Sequence, residues 1–229
     1  MKKYASFIVI LAMFSFPVLC LANEAIPGPY ISGFVGVHAP ADTNASSTDF
    51  ISEKSYYDRV EFDPGTNIGG TGGYDFGLVR LEGELSHKYA AINSIANQVP
   101  GERFHNAVGE LGVLAMMFNG FVNLYNTSPV TPYLGGGIGF AAIHLSDTDG
   151  IRIVGGTAQR VLLYGAGDDT VFAYQVGGGM DIVLNRRFSL DIGYRYFRAN
   201  RANIDSDQAI LTSMEFKSHS TAIGFKYRY

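Results

Sequence analysis

The sequence predicts an all-β fold: an eight-stranded antiparallel transmembrane β-barrel, wound as an up-and-down meander. Three observations carry that expectation. Apolar and polar residues alternate with period two in eight separate segments. Short and long connections between those segments take strict turns. The composition is rich in aromatics and glycine and poor in charge, with 16 Phe, 14 Tyr, 28 Gly, no Trp and 17% charged residues, against roughly 25% charged in ordinary soluble domains.

The alternation is clearest at the C-terminus, where Thr221, Ile223, Phe225, Tyr227 and Tyr229 interleave with Ser220, Ala222, Gly224, Lys226 and Arg228. From Val79, the apolar Val79, Leu81 and Leu85 oppose Arg80, Glu82, Glu84, Ser86 and Lys88. Near residue 190, Phe188, Leu190, Ile192, Tyr194 and Tyr196 oppose Ser189, Asp191, Gly193 and Arg195. Weaker copies run over 31–37, 68–76, 114–122, 134–140 and 172–184. Short turns are expected around Gly77, at Asn126 to Pro129 and at Asn185–Arg186, and long irregular loops over 39–66, 90–105, 145–170 and 199–213. Both termini then fall on the short-turn side. This is the layout of an outer-membrane barrel with short periplasmic turns and four long external loops. Its physical root is that lipid cannot hydrogen-bond a free strand edge, so a spanning sheet has to close.

With eight strands, the lumen is only wide enough to be filled by side chains. The inward set is expected to be Asp75, Arg80, Glu82, Glu84, Lys88, Asp181, Asp191, Arg195, Lys226 and Arg228, with glycines such as Gly135, Gly137, Gly179 and Gly193 leaving room for large neighbours. The signs nearly balance, which predicts an internal ion-pair network and no one-signed conduit.

The first 22 residues read as a secretory signal peptide: Lys2 and Lys3, an apolar run from Ala5 to Leu21 broken by Pro17, and small Cys20 and Ala22 before the cut. Residues 23–229 would form one barrel domain. Cys20 is the only cysteine, so the processed chain would have neither disulfides nor thiolate metal sites. A net charge of -4 disfavours nucleic acid as a partner.

The stretches "GPYISGFVGV", "GGYDFGLVRLEGELSHKY", "TPYLGGGIGFA" and "AIGFKYRY" resemble small outer-membrane barrels of the OmpA-like and opacity-type surface-antigen group, over essentially residues 28–229. The resemblance implies a Gram-negative-type outer membrane, with lipid as surroundings. It also implies that Tyr229, with Ile223, Phe225 and Tyr227 at alternate positions, is the assembly signal read by the barrel-insertion machinery. The terminal residue is Tyr where Phe is commoner, and no peptidoglycan-binding domain follows.

Other motifs carry little. Gly137, Gly139 and Ala142 match G-x-G-x-x-A, but no helix pattern follows. Asp147, Asp149 and Gly150 resemble a calcium loop with the glycine misplaced and the closing Glu missing. Among His38, His87, His105, His144 and His219, two neighbour serines, yet adjacent strand residues point to opposite faces. No catalytic residue, cofactor or metal is therefore expected. The acidic Asp42, Asp49, Glu53, Asp58, Glu61 and Asp63 crowd the first long link. The expected role is non-enzymatic, in envelope structure or as a surface antigen or adhesin whose loops meet a host or surface ligand. A small porin is the first alternative; a barrel enzyme and a soluble lipocalin-like carrier are weaker ones.

Overall fold

The computed structural model describes residues 27–49, 54–97, 103–124, 128–154, 157–206 and 210–229. The expected signal peptide and its cleavage point lie outside the described residues. The described residues form thirteen strands: β1 (Gly28–Pro40), β2 (Thr43–Asp49), β3 (Lys54–Phe62), β4 (Gly65–Asp75), β5 (Val79–Asn97), β6 (Arg103–Val108), β7 (Glu110–Asn123), β8 (Val130–Leu145), β9 (Thr148–Val154), β10 (Thr157–Tyr164), β11 (Gly167–Val183), β12 (Phe188–Ser206) and β13 (Ile210–Arg228).

Eight of them close a ring in the order β1, β4, β5, β7, β8, β11, β12, β13, each antiparallel to the next, and β13 returns to β1 through Tyr30↔Arg228 and Phe34↔Gly224. These strands contain the eight alternating segments of the sequence. At the short-turn end, the rim is stitched by backbone bonds between neighbouring hairpins. Asn123 N–H donates to Leu78 O (2.8 Å), Val183 N–H to Pro129 O (2.9 Å) and Arg228 N–H to Arg187 O (2.7 Å). Gly77 holds the β4–β5 turn at φ +96°, a conformation that L side chains rarely adopt. Asn185 Oδ1 accepts from the N–H groups of Arg187 and Phe188 to form the β11–β12 turn.

The four long links are not irregular loops. Strands β2 and β3 continue β1 and β4 upward and take their places beside β13 and β5. In the same way β6 continues β7, and the β9–β10 hairpin continues β8 and β11. Asp, Asn, Ser and Gly in these segments look like loop chemistry, but the strands place some, such as Asn44 and Asn93, on an exposed face and bury others with partners, Ser47 against Thr212 (3.2 Å) and Ser94 against Glu61 (2.7 Å). The external ring lacks one pairing: β10 bonds only to β9 among the described residues, and β11 meets β12 only from Ala173↔Ala199 downward, where β12 carries a bulge between Ala199 and Ala202.

The polarity of the wall inverts along the strands. In the lower part, large apolar side chains point outward and are half or more exposed: Val35 61%, Met116 68%, Leu134 65%, Phe140 62% and Phe225 51%. The inward side of this part carries the buried Asp75, Arg80, Glu82, Glu84, Asn119, Asp181, Lys226 and Arg228, with glycines between them. In the upper part, the inward residues are apolar and fully buried: Ile92 on β5, Val113 and Ala115 on β7, Ile143 and Leu145 on β8, Phe197 and Ile204 on β12, Met214 and Phe216 on β13. Here the outward residues are Asn93, Glu110, His144, Arg201 and Lys217. A surface against lipid must be apolar and a surface against water need not be, so the oily face turns from outside to inside where the wall leaves the bilayer. The expectation of a lumen filled by charges and glycines throughout thus holds only for the lower half.

Candidate functional site: the two-layered lumen

The lower lumen is built by inward positions of β1, β4, β5, β7, β8, β11, β12 and β13. Glu84 on β5 is its hub: it accepts from Asn119 Nδ2 (2.9 Å) and Gln175 Nε2 (2.8 Å), and pairs with the Arg195 guanidinium. Gln175 Nε2 also donates to Asn119 Oδ1 at 2.8 Å. Arg195 reaches Glu82 as well (3.4 Å), and Glu82 accepts the Tyr30 hydroxyl at 2.6 Å. A second centre lies nearer the short-turn end, where Asp181 takes Lys226 Nζ at 2.6 Å and Arg228 Nη2 at 2.7 Å. Lys226 also approaches Asp191 (3.6 Å), which accepts from the Tyr133 hydroxyl at 2.7 Å.

Arg80 sits between the two centres, 3.9 Å from Glu82 and 3.8 Å from Asp181, with its guanidinium 4.3 Å from the Tyr133 ring centroid and 4.9 Å from that of Phe121. Such a position combines ion pairing with cation–π attraction in a site sheltered from water. Glycine makes the packing feasible: a Cβ on Gly179 would come within 2.6 Å of the Tyr133 hydroxyl, and one on Gly193 within 2.9 Å.

Of the ten expected network residues, eight are joined in this way: Arg80, Glu82, Glu84, Asp181, Asp191, Arg195, Lys226 and Arg228. Two take other work. Asp75 is buried but serves the β4–β5 turn, accepting from Gly77 N–H (2.9 Å) and Asn123 Nδ2 (3.1 Å). Among the described residues Lys88 has no carboxylate within ion-pair distance; its Nζ lies 3.3 Å from Ser86 Oγ and 4.3 Å from the Phe197 ring centroid, at the border with the apolar layer. Neutral partners Asn119, Asn123, Gln175 and Tyr30 were absent from the charged set, although the same alternation places them inward.

Beside the ion pairs, against the small residues Ser32, Thr71, Ser220 and Gly224, a cavity of about 30 Å³ remains, room for about two water molecules. Above it the apolar layer closes the lumen: Met117, Ala141, Ile143, Ala173, Phe197 and Phe216 are each 2% exposed or less.

The histidines do not assemble a reactive group. Ser86 and Ser220 are buried while His87 and His219 are exposed on the other face. His38 Nε2 lies 3.0 Å from Tyr89 O, His144 Nδ1 2.6 Å from Asp168, and His219 Nδ1 2.6 Å from the Tyr194 hydroxyl. The His105 side chain lies outside the described residues. Among the described residues no three His, Cys, Asp or Glu side chains gather as metal ligands would. Ile223 and Phe225 point outward and are exposed on β13, and Tyr229, just past its end, is exposed as well.

A closed antiparallel ring with an oily exterior band and a charged interior defines a membrane-spanning β-barrel of the outer-membrane class. The chain belongs to the outer membrane protein beta-barrel domain family, whose model matches residues 8–229. It is 28% identical over 206 residues to an uncharacterized protein of Brucella abortus (strain 2308), covering 80% of this chain and 72% of that one. A relative from Brucella suis biovar 1 (strain 1330) is 27% identical over 205 residues, with the same coverage. Among solved structures, the outer membrane protein OprG from Pseudomonas aeruginosa superimposes with a TM-score of 0.54 at 15% identity, covering 91% of this chain and 98% of that one. That likeness is one of fold. Family and fold together assign this chain to the outer membrane of a Gram-negative-type envelope.

Proposed function

We propose that the protein is a non-enzymatic, non-conducting outer-membrane barrel that acts at the cell surface, as a structural antigen or adhesin presented by its external strands. The observation that supports this reading is the double closure of the lumen, by an ion-paired layer below and a packed apolar layer above. An ion crossing it would have to break buried pairs and then enter an apolar core, each step costing several kcal/mol. The external strands, by contrast, rise from the membrane as a pleated wall whose outward side chains are available to a partner.

Protein refolded into planar bilayers should give no sustained single-channel steps, and cells expressing it should gain surface adhesion that is lost when the β9–β10 hairpin is shortened. Regular conductance steps would replace this reading with the small-porin one, which the small cavity beside Ser32 and Thr71 favours. The same reading has residues 1–22 removed on export, so the mass of membrane-isolated protein should correspond to a chain starting at Asn23.

Ile223, Phe225 and Tyr227 of β13, with Tyr229 just past its end, are proposed to present the chain to the insertion machinery. Deleting Tyr229 is expected to lower the amount of folded protein in isolated outer membranes several-fold while leaving refolding in detergent intact. Equal amounts of the two chains in the membrane would overturn that role.

A further inference from the structure

We propose that the outward face of β12 and β13, just above the lipid-facing band, is a binding site for the phosphate of an outer-leaflet glycolipid. The site starts from an unfavourable arrangement. Arg198 on β12 and Lys217 on β13 are direct cross-strand partners, and like charges placed opposite each other destabilise a sheet.

One carboxylate lies between them. Glu215 Oε1 accepts from Arg198 Nε at 2.6 Å, and Glu215 Oε2 pairs with Lys217 Nζ at 2.6 Å. A single negative charge offsets only one of the two cations. Arg201, exposed in the β12 bulge three residues further on, adds another. After Glu215 is served, Arg198 Nη1 has among the described residues one further partner, the Tyr174 hydroxyl at 3.5 Å, and an ammonium with three donors that meets one carboxylate keeps two to offer. Of the other charged groups described near this boundary, Arg59 pairs with Asp42 and His144 with Asp168, while Asp169 on β11 accepts the Asn203 backbone N–H at 2.7 Å, two residues beyond Arg201. Arg198, Lys217 and Arg201 thus face two carboxylates, Glu215 and Asp169, and one positive charge is left over here, on a chain whose net charge is -4.

Position selects the ligand. Directly below on the same two strands are Tyr194, Tyr196 and His219, with Tyr194 hydroxyl and His219 Nδ1 2.6 Å apart and the Tyr196 and His219 rings 5.1 Å between centroids. Aromatic side chains with a polar tip settle at the level of lipid headgroups. Arg198 and Lys217 are the next outward residues on their strands, roughly 7 Å further along. Below the aromatics the outward face is Ile192, Ile223 and Phe225, which acyl chains can cover. A lipid lying along this strip brings its headgroup to the two cations. A phosphate accepts several charge-assisted hydrogen bonds at once and matches a guanidinium fork.

The test uses the full barrel reconstituted in nanodiscs containing a diphosphorylated glucosamine lipid or its dephosphorylated form, with retained lipid counted by native mass spectrometry after detergent extraction. The wild type should retain the phosphorylated lipid and not the dephosphorylated one. The variant R198Q/K217Q should retain roughly ten-fold less or lower, as expected for the loss of charge-assisted hydrogen bonds, and E215Q, which removes the competing acid, should retain more. Equal retention of both lipids by the wild type, or of the phosphorylated lipid by wild type and R198Q/K217Q, overturns the proposal. Unboiled gel mobility verifies that each variant is folded; should R198Q/K217Q fail that check, E215Q and the lipid pair decide, and a drop in retention by E215Q also overturns it.

Discussion

Replacing Glu84 by alanine is expected to destabilise the folded barrel by about 3–5 kcal/mol, the cost of removing one partner from a buried ion pair. Glu84 is 4% exposed and receives Arg195, Asn119 and Gln175 together. Without it the Arg195 guanidinium keeps only Glu82, at 3.4 Å, and two side-chain amides each lose one acceptor, Gln175 keeping Asn119 Oδ1 at 2.8 Å and Asn119 keeping Glu82 at 3.4 Å. Glu84→Gln retains the shape and one acceptor oxygen, so its loss should be smaller. Urea titration in lipid vesicles, read by disappearance of the fast-migrating unboiled form, measures both. A loss below about 1 kcal/mol for the alanine variant, the scale of an exposed pair, would show that water reaches the pair and that the lower lumen is not closed.

Phe197→Ala is expected to cost a similar amount, about 3–5 kcal/mol, through a different mechanism. The ring is 0% exposed, packs at 6.1 Å against Phe216 and covers Lys88 at 4.3 Å. Its removal opens a void where the charged and apolar layers meet and strips the lysine of its aromatic partner. Amide exchange should then rise along the upper halves of β12 and β13 while the lower halves keep their protection. Phe197→Leu should recover most of the loss. If the alanine variant were as stable as the wild type, the upper lumen would have to be wet or collapsible, and the double closure behind the proposed function would be lost.

The ring itself was legible in the sequence because lipid enforces one rule on every spanning strand: Val79, Leu81 and Leu85 had to face out, and Arg80, Glu82 and Glu84 had to face in. The upper wall was harder to read. Ala141, Ile143 and Leu145 alternate just as regularly, and Phe197 and Ala199 hand over to Ala202 and Ile204 across the bulge, but period two says only that two faces differ, never which one is inside. Read next to polar neighbours such as His144, Asn200 and Asp205, these segments pass for loops. Leu111 to Phe118 reads as a continuous apolar run because both conditions overlap there, with Leu111, Val113, Ala115 and Met117 buried and Leu114, Met116 and Phe118 facing lipid.

The lumen was legible as a set of charges but not as a set of bonds. Tyr30, Asn119 and Gln175 carry no charge, so nothing but alternation marks them, although they supply donors to Glu82 and Glu84. Asp75 and Lys88 have the right parity. What removes them from the ion pairs is geometry: one is held by a turn at Gly77, and the other lies one inward step above Ser86, where the nearest large side chain is Phe197.

The switch from an oily outside to an oily inside also acts as a depth gauge. Raising the molecule by one outward position would lift a ring of side chains such as Leu114, Phe140 and Phe172 into water, while lowering it would drag Glu110, Asp168 and Arg198 among acyl chains. Since each large apolar side chain moved into water costs roughly 1.5–3 kcal/mol, displacement either way meets a steep restoring force. The height at which the outer surface meets its surroundings is thus set by the barrel alone, without an anchor elsewhere.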